Sequence, residues 1–495
     1  MAYQHGVRTS EVGTQLLPTT EVDSALPVIV GTAPVNMTDP ANVNKPVLCH
    51  SYDEFVKNFG FVPPALNDAS GLEEYGFTLC ESAYVLFALF GVGPAVFINV
   101  LDATKHKKTA ATTSITLDAK TGSATVKEPG ILPSTVVITP ADAAAYEANA
   151  DYVTGFDDDG NLVVTSLQDE DTGSFKCVAG TSLTFAADVL DPTAVEDDAV
   201  IGGVAADGQK TGLELVGEVY PRFGLVPGTI LAPGFSSDPS VAAVMAAKCT
   251  GISDRFNAMC CVDVPTDSVT TYSAVSAWKT ANNYTDSRQI VCWPNLALDG
   301  VKYHLSMQMA ALMAQVDGEN DGTPYVSPSN KNLQTTATVL ADGTEVWLDL
   351  GEAAYLNGQG VCTAINQMSG WTAWGNRTGC YPATTDAKDA FIPIRRMFNW
   401  VGNTLITTFW QRLDAPINRR LIDTIIDSAN IWLNGLSARQ YILSGKVSFL
   451  ESENTTVDLM DGIVRFHVSI CPPSPARDIQ FVMEYDVNGL SALFE

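Results

Sequence analysis

Apolar residues recur along this chain in two rhythms, and the points where one rhythm yields to the other divide it into parts. PVIVGTAP, residues 27–34, is a short apolar run closed by Gly31 and Pro34, the mark of a buried strand. Residues 52–59 carry apolar positions at helical spacing, and 78–90 and 95–100 read as an apolar helix followed by a second buried strand. From residue 104 the texture changes to Val/Thr/Ile runs separated by turn clusters: SITLDAKTG, TVVIT, FDDDGNLVVTSL, SFKCVAG and SLTFAADV. These predict an inserted β-rich domain over 105–205, with Asp157, Asp158 and Asp159 before Gly160 making a hairpin turn. The aspartates lack the alternating ligands and distal Glu of a calcium loop. After residue 220, LVPGTILAPG, a helix over 239–249, the run 258–264, a helix over 273–282 and RQIVCWP restore the alternation of an α/β sheet. A polar Gly/Pro loop follows over 318–330.

The C-terminal part has the clearest periodicity. Ile394, Phe398, Val401, Leu405 and Phe409 recur at helical spacing, as do Ile417, Leu421, Ile425 and Ala429, with Pro416 placed for the second helix's first turn and Gly435 for its end. Two strands with one buried face each are then expected. In the first, Val464, Phe466, Val468 and Ile470 alternate with Arg465, His467 and Ser469; in the second, Ile479, Phe481, Met483 and Tyr485 alternate with Gln480, Val482 and Glu484, and PPSPAR makes a rigid turn between them. The fold class expected is therefore a multidomain mixture of α/β and α+β: a central α/β domain over 28–104 and 206–350, the β-rich insert over 105–205, and an α+β domain over 351–495. The first 27 residues, with Gly6, Gly13, Pro18 and Pro27 among Thr and Ser and a faint strand over Val7–Val12, read as an extended arm or a disordered terminus. As an arm they would span up to about 90 Å.

Composition narrows the function. The net charge of −28 disfavours nucleic acid and anionic membrane as partners, and the charge is uneven: residues 141–220 hold seventeen acidic and two basic side chains. Residues 84–101 (YVLFALFGVGPAVFINVL) are uncharged over nearly a bilayer's length, but Gly91, Gly93 and Pro94 interrupt them, which favours a core helix, a turn and a strand. The N-terminus MAYQHGVRTSEVG lacks the regions of a signal peptide, so the ten cysteines are expected as reduced, buried thiols. No C-x-x-C pair occurs, the five histidines are scattered, and no metal or cofactor is expected.

Catalytic motifs are missing where they would be sought. Gly445 and Lys446 are followed by Val447, without the hydroxyl of a phosphate-binding loop. Gly91 and Gly93 lack the third glycine of a dinucleotide fingerprint, and GISDR and GFSSD lack the closing glycine of a serine elbow. The suggestive charge feature is local: Arg395, Arg396, Arg412, Arg419, Arg420 and Arg439 face only Asp414, Asp423 and Asp427. Either these form a solvated helix face with an Arg419 to Asp423 pair one turn apart, or they contact an acidic partner.

FIPIRRMFNWVGNTL (391–405), INRRLIDTIIDSANIWLNGL (417–436) and ESENTTVDLMDGIVRFHVSICPPSPARDIQFVMEYD (451–486) resemble the C-terminal domain of contractile phage tail sheath proteins. PRFGLVPGTILAPG, NNYTDSRQIVCWPN, YVSPSNK, YLNGQGVCTAIN and WGNRTGCYP are similar to the family's central domain, and YQHGVRTSEV to its N-terminal arm. The resemblance implies stacked hexameric rings around a tail tube, which shorten to drive the tube through a cell envelope. It implies that arms complete the sheets of neighbouring subunits, here through Val7, Arg8, Thr9, Ser10, Glu11 and Val12 and through Ile479, Phe481, Met483 and Tyr485. It also places the C-terminal domain beside the tube, with Arg395, Arg396, Arg412, Arg419 and Arg420 as contact candidates. The implied partners are further copies of the chain, a tube protein, and baseplate and tail terminator proteins, in a phage or phage-tail-like particle assembled in the bacterial cytoplasm. Nucleic acid and membrane insertion are not expected. The rival reading is an enzyme, cytoplasmic or at the cell surface, with a sugar-binding β domain.

Overall fold

Short runs of Val, Ile, Cys and Phe without polar interruption build an eight-stranded sheet at the centre of the molecule. The computed structural model describes residues 19–38, 42–110, 113–141, 144–487 and 493. The sheet's strands are β1 (Pro27–Gly31), β2 (Val47–Cys49), β3 (Ala95–Asn99), β4 (Thr229–Leu231), β5 (Met259–Asp263), β6 (Gln289–Cys292), β7 (Val361–Gln367) and β8 (Gly370–Trp374). Their order is β2-β3-β1-β4-β5-β6-β7-β8, parallel except at the edges, where β2 and β8 run antiparallel to their neighbours. In chain order β1 lies in the middle, β2 forms one edge, β3 fills the place between them, and the sheet continues from β4 on the other side of β1. All residues of β1, β3, β5 and β6 are buried, as a sheet covered on both faces requires.

The covering helices arise where the periodicity places them. Helix α1 (Tyr52–Phe59) is capped by Ser51, whose hydroxyl accepts from the Glu54 amide, and its Phe55 and Phe59 rings lie 4.8 and 6.3 Å from Phe97 of β3. Helix α2 (Thr78–Ala83) continues in wider turns through Leu89 before β3, so the apolar run 84–101 is a core helix, a turn and a strand. Among the described residues no helix is long and apolar enough to cross a membrane. Helices α3 (Pro239–Lys248) and α4 (Tyr272–Ala281) alternate with β4, β5 and β6. Helix α5 (Leu305–Gly318) has no counterpart in the sequence reading, because eleven of its fourteen residues are buried and it carries no polar face to set a period. Helix α6 (Leu350–Gly358) opens with a reciprocal capping box between Asp349 and Glu352. All ten cysteines are free, and nine are buried.

The β-rich insert leaves and rejoins the central part side by side: Lys107–Thr109 pairs antiparallel with Asp188–Leu190, and the Lys107 ammonium lies 2.7 Å from Asp188. Two three-stranded sheets follow, with their own core of Ile115, Leu117, Ile138, Tyr152, Leu162, Leu183 and Phe185. The Asp157–Gly160 turn joins Tyr152–Phe156 to Leu162–Ser166 as a hairpin, with Gly160 in the left-handed region. SFKCVAG differs from expectation. It makes only an isolated bridge at Phe175, since the left-handed turns at Gly173 and Gly180 leave too short an extended run. Leu190, Val195 and Val200 already pack in the main core, inside the stretch that sequence texture gave to the insert.

The C-terminal part has two long helices, α7 (Ile392–Phe409) and α8 (Arg419–Ala438), and a two-stranded ribbon of β9 (Ser444–Ser448) and β10 (His467–Cys471). Met397, Trp400, Val401, Trp432, Leu433, Leu436 and Val447 form their core, with the Trp400 and Trp432 rings 5.5 Å apart. Two boundaries shift. Asn418 caps α8 by accepting from the Leu421 amide, which leaves Pro416 and Ile417 outside it, and the helix runs past Gly435 to Ala438. The second expected strand, over 479–485, does not form: that stretch has no regular structure, and among the described residues no strand pairs with it.

Segment 20–24 is fastened to these helices before β1 begins. The Thr20 amide donates to Thr408 Oγ1 at 3.1 Å, the Trp400 indole to the Val22 carbonyl at 2.9 Å, and the Trp432 indole to Glu21 Oε1 at 2.8 Å. Below them Ser24 donates to Asp317 of α5, and Arg396 of α7 meets the same carboxylate through both terminal nitrogens, Nη1 at 3.0 Å. Both charged side chains are 3 % exposed. One ion pair thus ties the central domain, the C-terminal helices and the N-terminal segment together.

A second polar cluster closes the carboxyl ends of the strands. The His304 ring lies 2.8 Å from Glu81, and Ser306 at the start of α5 donates its amide and hydroxyl to Asp263 at the end of β5. Burial opposes charge on His304, but the Glu81 carboxylate outweighs it and raises the pKa to about 9. Burial raises the Asp263 pKa against the pull of His304 and the Ser306 bonds.

Because the folded pKa of His304 lies above its unfolded value, its contribution is full below about pH 6.5 and lost as pH rises through about 9. Thermal melts from pH 6 to 10 are expected to show wild type more stable than Glu81→Gln by on the order of 2 kcal/mol at neutral pH, with the gap closing by pH 10. A separate pair of variants checks the central ion pair. Asp317→Asn, which strands a buried Arg396, is expected to cost about 3–5 kcal/mol in denaturant unfolding, and Asp317→Leu with Arg396→Met together to recover most of that loss.

Candidate functional site: the arms and the arginine-bearing helices

The residues expected to meet other proteins fall into four settings. Val7, Arg8, Thr9, Ser10, Glu11 and Val12 lie outside the described residues. Where the described chain resumes, residues 20–24 are held by Trp400, Thr408 and Trp432, so an arm preceding them would leave from the C-terminal helices. Sequence reasoning missed this root. Its signal was the two tryptophans, which are thirty-two positions apart and about four hundred from the segment they hold.

The second segment, 479–485, lies within the described residues. Beyond the ribbon, residues 472–486 have no regular structure, and Phe481, Val482 and Met483 are 88–94 % exposed, with Ile479 and Tyr485 exposed beside them. The expected buried face is absent within the subunit, since residues from both sides of the alternation face water. The ribbon behind it has only two strands, so among the described residues each of β9 and β10 keeps one unpaired edge. Open edges and an unpaired apolar segment are the two halves of a strand-addition contact.

The arginines do not form one face. Arg396 leaves the contact set by correction: it is buried on Asp317, because α7 packs that side of its N-terminal turns against α5. Arg395 is also turned inward, donating to Asp389 at 3.0 Å and to Asn399 at 3.2 Å. Arg439 bridges Glu21 and Asp321 at 3.7 and 3.8 Å, next to the arm root. Arg412, Arg419 and Arg420 remain near the α7–α8 turn, Arg419 paired one helical turn on with Asp423 at 2.9 Å. Trp410, Leu413 and Ile417 are exposed at the same turn, and the Arg255 guanidinium lies 4.2 Å from the Trp410 ring centre. This mixture of cations and large apolar side chains suits a protein partner better than bulk water. Trp410 and Leu413 were hidden in sequence because residues 410–416 belong to neither periodic helix pattern.

For chemistry the same surfaces offer little. Among the described residues no three His, Cys, Asp or Glu side chains gather as metal ligands. The polar cluster of Glu81, His304, Asp263 and Ser306 is internally hydrogen-bonded, and it reads as support for the start of α5.

No protein-family model matches the chain. The tail sheath protein of Burkholderia phage BcepMu is 29 % identical over 504 residues, covering 99 % of this chain and 98 % of that protein. Among solved structures, the PVC sheath complex of an extracellular contractile injection system, in the contracted state, has a TM-score of 0.58 at 14 % identity, covering 99 % of each chain. A chain of the anti-feeding prophage baseplate has a TM-score of 0.57 at 13 % identity, covering 98 % of this chain and all of the other. These structures share the mixed α/β fold. Likeness along nearly the whole of both sequences, on a shared fold, makes this chain similar to contractile tail sheath proteins.

Proposed function

We propose that this chain is the structural subunit of a contractile tail sheath, polymerising as stacked hexameric rings around a tail tube and contracting to drive the tube through a target cell envelope. The observation that carries the reading is the exposed apolar arm over 478–487 beside a ribbon with open edges. A soluble monomer gains nothing from Phe481, Val482 and Met483 in water, whereas a neighbour's sheet edge would bury them and pair their backbone. The full-length likeness to a phage tail sheath protein supports it.

In this reading the arms at both ends add strands to neighbouring subunits, and the α7–α8 turn with Arg412, Arg419 and Arg420 faces the tube. The acidic insert stands on the outside. Baseplate and tail terminator proteins would cap the assembly in a phage or phage-tail-like particle. Contraction would draw on the lattice, an extended form relaxing to one with more contact between subunits, without a bound cofactor. The chain is read as structural rather than catalytic.

Negative-stain electron microscopy of the purified protein is the first test: tubes or polysheaths are expected, and discrete particles at every concentration would contradict the reading. Deleting residues 478–495, or 1–20 while keeping the fastened segment 21–24, is expected to leave a monomer with unchanged circular dichroism and no polymer. Normal tubes from either truncation would remove strand exchange from the account. Arg419→Glu with Arg420→Glu is expected to cut co-sedimentation with tail tubes by about tenfold at physiological salt while leaving tube-free polymerisation intact.

A further inference from the structure

A groove of about 670 Å3 lies between the PPSPAR turn and two loops of the central part, YVSPSNK and WGNRTGCYP. Three cations line it: Lys331, Arg377 and Arg477. The Arg377 guanidinium lies over two rings, 3.6 Å from the centre of Phe391 and 4.4 Å from that of Tyr381. Ring contact occupies its faces and not its N–H donors. Those donors find no acceptor: among the described residues no carboxylate lies within salt-bridge distance of Arg377, Arg477 or Lys331, and no hydrogen bond from the Arg377 side chain is formed. The one carboxylate on the groove's rim, Asp478, accepts instead from Gln480 at 2.8 Å. Burial and the Arg477 charge both weigh against the cation on Arg377.

Three cations gathered around one carboxylate, in a protein with 56 acidic and 28 basic side chains, are an arrangement with a piece missing. We propose that this groove is an anion-binding docking site for a carboxylate-bearing segment of a second copy of the chain, which Arg377 holds through paired hydrogen bonds and Arg477 and Lys331 hold by charge. A second copy is favoured on two grounds. The apolar arm that needs a neighbour departs from the groove's own rim at Asp478, so a subunit that receives the arm is brought against the groove. The chain also carries abundant carboxylates, with seventeen acidic against two basic side chains within 141–220. The contact rests on the sheath reading and adds to it: the arm supplies backbone pairing and buried area, and the groove fixes register through charge.

The test uses the full chain. Wild type, Arg477→Glu, and Arg377→Gln with Arg477→Gln are compared for critical concentration of polymerisation by sedimentation, from 50 to 500 mM NaCl. Arg477 is exposed on the arm, so its variant is expected to melt as wild type does; Arg377→Gln loses its ring stacking, and its melting curve is read alongside. The expected result is a critical concentration raised about tenfold at 50 mM salt in both variants, with a flatter salt dependence, and a carboxylate of a neighbouring copy between Arg377 and Arg477 in a cryo-EM map of wild-type polymer. Unchanged critical concentration and salt dependence in Arg477→Glu overturns the proposal while leaving the sheath reading standing, and so does a groove empty or filled by another protein in the polymer map. Failure of wild type itself to polymerise overturns the sheath reading and takes the groove with it.

Discussion

The ion pair between Asp317 and Arg396 is the constraint on which the subunit's organisation rests. Two charges so fully withdrawn from water are stable only while each satisfies the other, so α5 and α7 cannot separate without stranding one of them. Ser24 donates to the same carboxylate, and Trp400, Trp432 and Thr408 fasten residues 20–22 just above. The beginning of the described chain, the centre of the fold and the C-terminal helices therefore move as one body. A force applied through an N-terminal arm would be delivered directly to α7 and α8, not to a slack loop.

Around that body, what is left unsatisfied is as informative as what is packed. The central sheet covers both its faces and runs to eight strands, with β2 and β8 at its edges. The C-terminal ribbon has only two strands, and the segment after it exposes large apolar side chains to water. A protein that satisfies nearly all buried polar groups elsewhere, yet keeps free strand edges and an apolar arm at one end, is built to be completed by something else. A neighbouring copy is the completion proposed above.

Much of the architecture was legible in sequence wherever one face of an element is wet. Helix α1, the α3 to β6 alternation, the Asp157–Gly160 hairpin and α7 follow from periodicity and turn chemistry, because alternation between core and solvent writes itself into residue choice. Helix α5 was not legible for the converse reason: Met307, Met309, Ala311 and Met313 are buried together with Gln308, and no polar face remains to mark a period. The arginines show a different limit. Counting charges over 395–439 found a positive stretch, but whether each guanidinium meets water depends on Asp317 and Asp389, which lie on other elements. The arm over 479–485 alternates as a strand should, but among the described residues no strand pairs with it.

The account's central claim is that the arm after residue 477 is unpaired in the monomer and becomes a paired strand on assembly, while segment 20–24 is anchored in both states. Hydrogen exchange of backbone amides in monomer and in polymer reads this directly. The account expects the amides of 479–485 to exchange at near-random-coil rates in the monomer and to be strongly protected in the polymer, with Thr20 protected throughout. Protection of 479–485 already present in the monomer, or still lacking in the polymer, would contradict it.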